Sequence, residues 1–532
     1  MLNRLSNETH IISLLAAAIT VLSCDLLDEK PLGQLPSDGF FASPQDLDAS
    51  LNALYSVVAT SHGQNNFTGT NFLTGDDIST HPASNKQPLR EYDQYTVSDN
   101  NSWMATLWEQ RYKVIKAANF IINNASRTPD VSEETKTQAI AQAHFWRAYS
   151  YFYLVTTWGP VPVMLEEDID YSARLWSEEE IYELILSDLS IAESGCPVTY
   201  SKAPYTQNGI NIAVSQGAVK AAMSYVYMCM AGWPLNKGAE YYELAAAKAE
   251  EIIDASDNGT YYYRLNPEFK DIHSVALRVS NPELILGVYY NRDRNPQMTP
   301  LTDFLLEMGG WGDTQGEIKF WKEFPEGPRK DATYFPKMMI GGELRDWWYD
   351  TDPPSREVVA PCFMKSVEPA ARGNEFDYTD DTPCPTNGEK TIQIVRLSQV
   401  YCWYAEAVGR SGKVTPKAVE MLNRVRNRAD GTSSDIYTTA MTAEELAEAA
   451  YNEHGWETAG YYWSGLASRS RDMFRMYRFK DHFEYRKTNP EIEVAPGIFR
   501  KEAVSVTGAW DDTMMYSPYP FGDASLNPAL RH

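Results

Sequence analysis

The chain has 532 residues, 43% hydrophobic and 12% aromatic, enough apolar material for a large core and, by length alone, for two or three domains. Its 47 basic and 72 acidic side chains give a formal net charge of −25, a field that repels polyanions and argues against nucleic acid as a partner. Tyrosine (33) and tryptophan (14) are abundant, so some of these amphipathic rings are expected at a binding surface as well as in the core.

The N-terminus reads as a targeting segment. Arg4 precedes an apolar run from Ile11 to Leu22, too short to span a bilayer and right for a signal-peptide core. The run ends at Val21-Leu22-Ser23-Cys24, which resembles the lipobox of bacterial lipoproteins, although Leu22 is larger than the usual residue there. Residues 1–23 are then a lipoprotein signal peptide, Cys24 the lipidation site and residues 24–36 a lipidated tether. An ordinary cleaved signal with an incidental cysteine is the alternative. Each buried acyl methylene adds about 0.8 kcal/mol of membrane affinity, so several chains anchor stably. No later stretch is apolar and long enough to cross a membrane, which leaves the lipid anchor as the only membrane contact. The remaining cysteines, Cys196, Cys229, Cys362, Cys384 and Cys402, form no Cys-x-x-Cys pair, so a zinc or iron–sulfur site is not expected. Cys362 and Cys384 share a Pro-rich region and are the candidate pair. Buried thiols are expected for the rest.

Helical spacing starts near Pro44, with Leu47, Leu51, Leu54, Val57 and Val58 on one face. Residues 63–101 read as a long polar loop containing Gly75-Asp76-Asp77, and loops of this length are usually functional or disordered. A helix is expected from Ser102 to Asn123. The next, over Ala139–Trp158, is apolar on two faces: Ala141, Phe145, Ala148, Phe152 and Val155 form one stripe, Trp146, Tyr149 and Tyr153 another. Such a helix is buried between neighbours. It stops at Trp158-Gly159-Pro160, where Gly frees the backbone and Pro forbids a further turn.

Three segments share small or apolar residues at i, i+4 and i+7: Ala141–Phe145–Ala148, Ala245–Ala249–Ile252 and Ala418–Leu422–Val425. Each follows another amphipathic helix, over Ser102–Asn123, Val214–Ala231 and Leu397–Gly409. This is the seam spacing of the second helix in tetratricopeptide repeats, where close approach demands small side chains. Any packed hairpin uses Ala on its seam, so one match carries nothing; three in one chain point to helical-repeat packing.

Between about 281 and 395 the periodicity breaks at Gly309-Gly310, Gly341-Gly342 and Pro353-Pro354. Short strands such as Glu283–Tyr290 are expected in a loop-rich lobe carrying Trp311, Trp321, Trp347, Trp348 and Tyr349. A single Trp under a long loop is ordinarily satellite core. For the group, at least one ring is expected to face a ligand. Helical patterning resumes from Arg396 to about Asp430 and again from Glu444 to Phe483. The Pro-rich end, Tyr516–His532, is expected to be extended.

The stretch AQAHFWRAYSYFYLVTTWGPVPV resembles the most recognisable signature of the SusD/RagB family of outer-membrane nutrient-binding lipoproteins of Bacteroidetes. Gly217–Ala222 with Tyr225–Met228 resembles its second. Arg396-Leu397, Tyr404–Ala407 and Leu422–Ala429 resemble its third. Pro518-Tyr519-Pro520 and Leu526–Leu530 are similar to its C-terminal motif. One departure falls at Tyr451–Gly460, YNEHGWETAG, where only Glu453, Glu457 and the later Arg471-Asp472 keep the family's sense, and a locally altered helix is expected there.

The resemblance implies a mainly α, SusD-like fold: tetratricopeptide-like helical repeats over 37–280 and 396–532, with the loop-rich insertion lobe at 281–395. It implies a surface-exposed lipoprotein, lipid-anchored in the outer membrane, that binds glycan for nutrient uptake in polysaccharide utilization. Its partner would be a SusC-like TonB-dependent transporter. The family's ligand contacts sit in variable loops, so none is carried over. From position and chemistry, Trp311, Trp347, Trp348 and Tyr349 are the candidate stacking rings, because sugar rings present C–H faces to aromatic planes. Asp76, Asp77 and Arg90 are the candidates for sugar hydroxyls. Arg147 and Glu406 read as structural. No Gly-x-Ser-x-Gly elbow, His-Glu-x-x-His or phosphate-cradling glycine loop appears, so no catalytic residue is assigned. A lipid-anchored helical glycoside hydrolase and a peptide-binding repeat scaffold are the rival readings. No cofactor is expected. Asp377, Asp380 and Asp381 are a conceivable structural calcium site, but the more natural reading is a solvated acidic loop.

Overall fold

The computed structural model describes residues 39–531 except 63–74, 83–85, 295–296, 299–309, 341, 350–357, 369–375, 380–386 and 461–464. Cys24, Cys384, Asp380 and Asp381 therefore lie outside the described residues.

Helices carry the body. α1 (Pro44–His62) buries Leu47, Leu51, Leu54 and Val58. Within the segment expected to be loop, Ile78–Thr80 forms a strand, β1, and Gln87–Asp93 a two-turn helix, α2, begun by a proline in its first turn. α3 (Ser102–Asn124) opens on Asn101, whose side chain accepts from the Trp103 and Met104 N–H groups. α4 (Glu133–Trp158) is buried on almost every side from Ala139 onward and ends at Gly159, φ 72°. α5 (Glu178–Gly195) starts on a Ser177/Glu180 capping box and buries Ile181, Ile185, Leu189 and Ala192. α6 (Gln216–Ala231) and α7 (Ala239–Asp257) follow.

The three expected hairpins are present. α3 packs on α4, α6 on α7, and α10 (Leu397–Arg410) on α11 (Pro416–Asp430). Their seams hold fully buried Ala141, Ala148, Ala245, Ala249 and Ala418, as close helix approach requires. α4 also packs on α5, and α7 on α10, so the hairpins share one continuous core. α8 (Ile318–Glu323) and α9 (Pro328–Thr333) are short helices of the lobe.

α12 (Ala443–Thr458) runs unbroken through most of the divergent Tyr451–Gly460 segment, begun by a Thr442/Glu445 capping box. α13 (Arg469–Arg475) and α14 (Phe479–Thr488) complete the body. The C-terminal segment is not extended throughout. Pro520, with φ −59°, leads into α15 (Phe521–Leu526), and Pro528–Leu530 forms a further turn. Proline is tolerated at a helix entrance because the missing N–H has no intrahelical partner there.

Buried ion networks lock the helices. Arg147 grips Asp188 with two 2.8 Å bonds, and His144 lies 2.6 Å from the same carboxylate. Glu406 and Arg475 form a buried bidentate pair at 2.8 and 2.6 Å. Both signature residues are thus structural, as read. Glu453 and Glu457 of α12 sit among Arg329, Arg396, Arg426 and Arg428. Burial pushes the Glu457 carboxyl up, but Arg428, Arg329 and Arg396 override it and hold it at about 2.

Candidate functional site

The lobe is tied off by its own ends. Leu284–Val288 (β2) pairs antiparallel with Ile392–Arg396, the strand that runs into α10. The helical core thus fixes where the lobe begins and ends. Inside, Ile318, Phe335, Met338, Trp347, Met364 and Val494 form a satellite core. Trp311, Trp321 and Trp348 border it, each partly exposed.

Trp347, Trp348 and Tyr349 turn outward in succession. Trp347 is only 4% exposed, so it is the floor of the cluster and not a free stacking face. Its ring meets Trp321 edge-on at 5.3 Å and Trp348 at 5.5 Å. Trp348 is held by the Trp321 ring at 5.6 Å, and Arg500 donates to its carbonyl. Tyr349 is 49% exposed, with the Arg345 guanidinium 4.2 Å from its ring centre. Arg345 in turn pairs with Glu343 at 2.6 Å, and Lys330 lies 4.3 Å over Trp321. Sequence reading did not single out these cations. Arg345 stands four residues before Tyr349, and the turn closed by the Tyr349 N–H on the Asp346 carbonyl at 3.0 Å lies between them.

A second group meets at Trp311. β1 pairs with Thr314–Gly316, and the His81 N–H donates to the Asp313 carbonyl at 2.8 Å. This draws β1 onto the lobe, where the Lys86 ammonium lies 4.7 Å over the Trp311 ring. Arg90 lies one helical turn on. It donates to the Pro82 carbonyl and the Gln87 amide, and borders a hollow of about 360 Å³ with Gln87, Gln94, Ser505 and Thr507. Trp311 is not among the residues that line this hollow, so Arg90 and Trp311 are linked through the start of α2 and not through a shared cavity.

Asp76 and Asp77 turn the other way and do not share that face. Asp76 forms a bidentate pair with Arg469 at 2.6 and 2.9 Å. Burial pushes its carboxyl up, and Arg469 overrides this to hold it below the ordinary range. Asp77 is 3% exposed and accepts from the Gly460 N–H at 2.7 Å. Burial, then the neighbouring Asp76 charge, raises it to about 6. These two acids pin the N-terminal segment to α12 and α13, because a carboxylate beside a buried guanidinium is held inward. Asp377 accepts from the Thr379 backbone and hydroxyl. Among the described residues no cluster of three or more His, Cys, Asp or Glu is arranged to hold a metal ion.

Fold and site together define a class: a helical-repeat scaffold that holds an irregular lobe with partly exposed rings. Residues 25–228 match the family described as "Starch-binding associating with outer membrane", and residues 368–532 match the "SusD family". The chain belongs to the SusD/RagB family. A SusD-like protein of Bacteroides ovatus is 25% identical over 566 residues, covering 99% of this chain and 97% of its own. Surface glycan-binding protein A from Bacteroides uniformis has the same fold, with a TM-score of 0.70 and 20% identity over 92% of this chain and 98% of that one. A structure solved with xylogluco-oligosaccharide superposes with a TM-score of 0.69 at 21% identity, over 91% and 98%.

Proposed function

We propose that this protein is a surface-exposed, glycan-binding lipoprotein that captures oligo- or polysaccharide and passes it to a SusC-like TonB-dependent transporter. The observation that carries the reading is the set of rings at the lobe: Trp348 and Trp311, part-exposed at the edge of a satellite core, and the exposed Tyr349 next to Trp348 in the chain. Rings fixed in this way lose little entropy on stacking against a sugar. Arg90, with Gln87, Gln94, Ser505 and Thr507, supplies donors and acceptors for hydroxyls. The family's outer-membrane description and the glycan-binding neighbours support the same reading. Cys24 is the proposed acylation site, with the body facing outward. Among the described residues no helix is long and apolar enough to cross a membrane. The protein works by binding, without turnover.

Calorimetry against a panel of polysaccharides tests this, with Trp348→Ala and Tyr349→Ala as site variants. Trp347→Ala is a poor choice, since it removes the floor of the cluster. Binding weakened by both variants, with no release of reducing ends, supports capture. Reducing ends that accumulate would favour the hydrolase, and heat with peptide but none with glycan would end the proposal.

A further inference from the structure

A deep cleft lies away from the lobe, between the C-terminal segment, the end of α4 and the connection from α2 to α3. It measures about 1150 Å³, beyond the usual small-molecule pocket. Tyr516, Tyr519, Phe521 and Trp158 line it, with Asp99, Asp512 and Arg531 among the polar groups.

Its rings are anchored in advance. The Tyr516 hydroxyl donates to Glu178 at 2.9 Å, and its ring rests on Trp233 with centroids 5.2 Å apart. The Tyr519 hydroxyl donates to the Pro160 carbonyl at 2.5 Å, and its ring stands edge-on to Trp108 at 6.0 Å. Phe521 is 58% exposed on a helix that buries none of its own residues. The main chain here is closed to an added peptide strand. The Ser517 and Phe521 N–H groups already donate to the Thr157 and Asp99 carbonyls, and Pro518 and Pro520 have none. What the cleft offers is ring surface and side-chain acceptors. Arg531 is turned onto the Ala524 and Ser525 carbonyls, so the carboxylates of Asp99 and Asp512 weigh against an acidic ligand.

We propose that this cleft is a second carbohydrate subsite, separate from the lobe, that takes a short run of neutral sugar residues. This rests on the glycan-binding reading. It gives one polysaccharide chain two points of attachment, which raises retention without a new high-affinity contact.

The test uses the full chain in affinity electrophoresis with xyloglucan, starch, galactomannan and mixed-linkage β-glucan. Phe521→Ala removes an exposed ring and is expected to keep the native melting temperature while weakening retention about fivefold, the worth of one aromatic contact. Hydrogen exchange of the native chain with the retained glycan should slow over residues 516–526. A glycan that Trp348→Ala or Tyr349→Ala weakens, but that Phe521→Ala binds natively with no protection at 516–526, overturns the subsite alone. Retention of none of the four overturns the subsite and the capture reading together.

Discussion

Glu502 is 3% exposed and accepts the Ile318 N–H at 2.7 Å. Burial, then the charge of Glu317, raises its carboxyl from 4.5 to about 8. Between those values the folded chain keeps a proton that the unfolded chain has released. Folding stability should therefore fall as pH rises through that window. Asp77 acts with the same sign between 3.8 and about 6. Glu457 acts with the opposite sign: its contribution is full above 4.5 and lost as pH falls toward about 2. Denaturant titrations across pH 4.5–8 should show a shallower decline for Glu502→Gln than for the native chain. An identical slope in both would mean that Glu502 does not hold the extra proton. Glu457→Gln leaves Arg329, Arg396 and Arg428 crowded without their shared carboxylate and should cost about 3–5 kcal/mol at neutral pH. A loss under about 1 kcal/mol in the same titrations would show that water or Glu453 replaces it.

Gly409 lies where α10 crosses α12. A methyl group there would stand 2.6 Å from the Ala443 carbonyl and 2.9 Å from the Ala447 side chain. Alanine normally gains about 1 kcal/mol over glycine inside a helix, but here the partner is backbone and cannot yield cheaply. Gly409→Ala should therefore lower the melting temperature. Gly522→Ala on α15, with nothing within 4 Å, should leave it level or raise it. Both variants shifting upward would mean that the two helices can separate without loss. The elements on which these arguments rest were legible to different degrees. Periodicity located α3, α4, α6, α10 and α11 to within a few residues, apart from the start of α4, because one face of each is apolar over several turns. α2 escaped that reading, being two turns long inside a polar stretch, and so did α15, bracketed by prolines. At the site, residue type picked out rings but not their direction. Trp347 and Tyr349 are two residues apart in one turn, yet the first is buried in the satellite core and the second is exposed, and residue type does not encode that difference. Asp76 and Asp77 turned inward because Arg469 and the Gly460 N–H, nearly 400 positions away in sequence, meet them there, and no local pattern encodes that.

At the scale of the whole molecule, the net charge of −25 and the proposed ligand chemistry make a joint prediction. Stacking on Trp348, Tyr349 and Phe521 and hydrogen bonds to hydroxyls involve no net charge on a neutral glycan. Raising salt from about 0.01 M to 1 M shortens the screening length from about 30 Å to 3 Å, and this should change the affinity for a neutral polysaccharide by less than about twofold. An acidic polysaccharide meets the repulsive field of the body, so any binding should strengthen as salt rises. Calorimetry at both salt concentrations separates the two. If affinity instead falls tenfold or more with salt, charge carries the capture. Lys86 over Trp311, Arg345 over Tyr349 and Arg90 at its own hollow would then be the cations to test for an anionic sugar, despite the acidic protein around them.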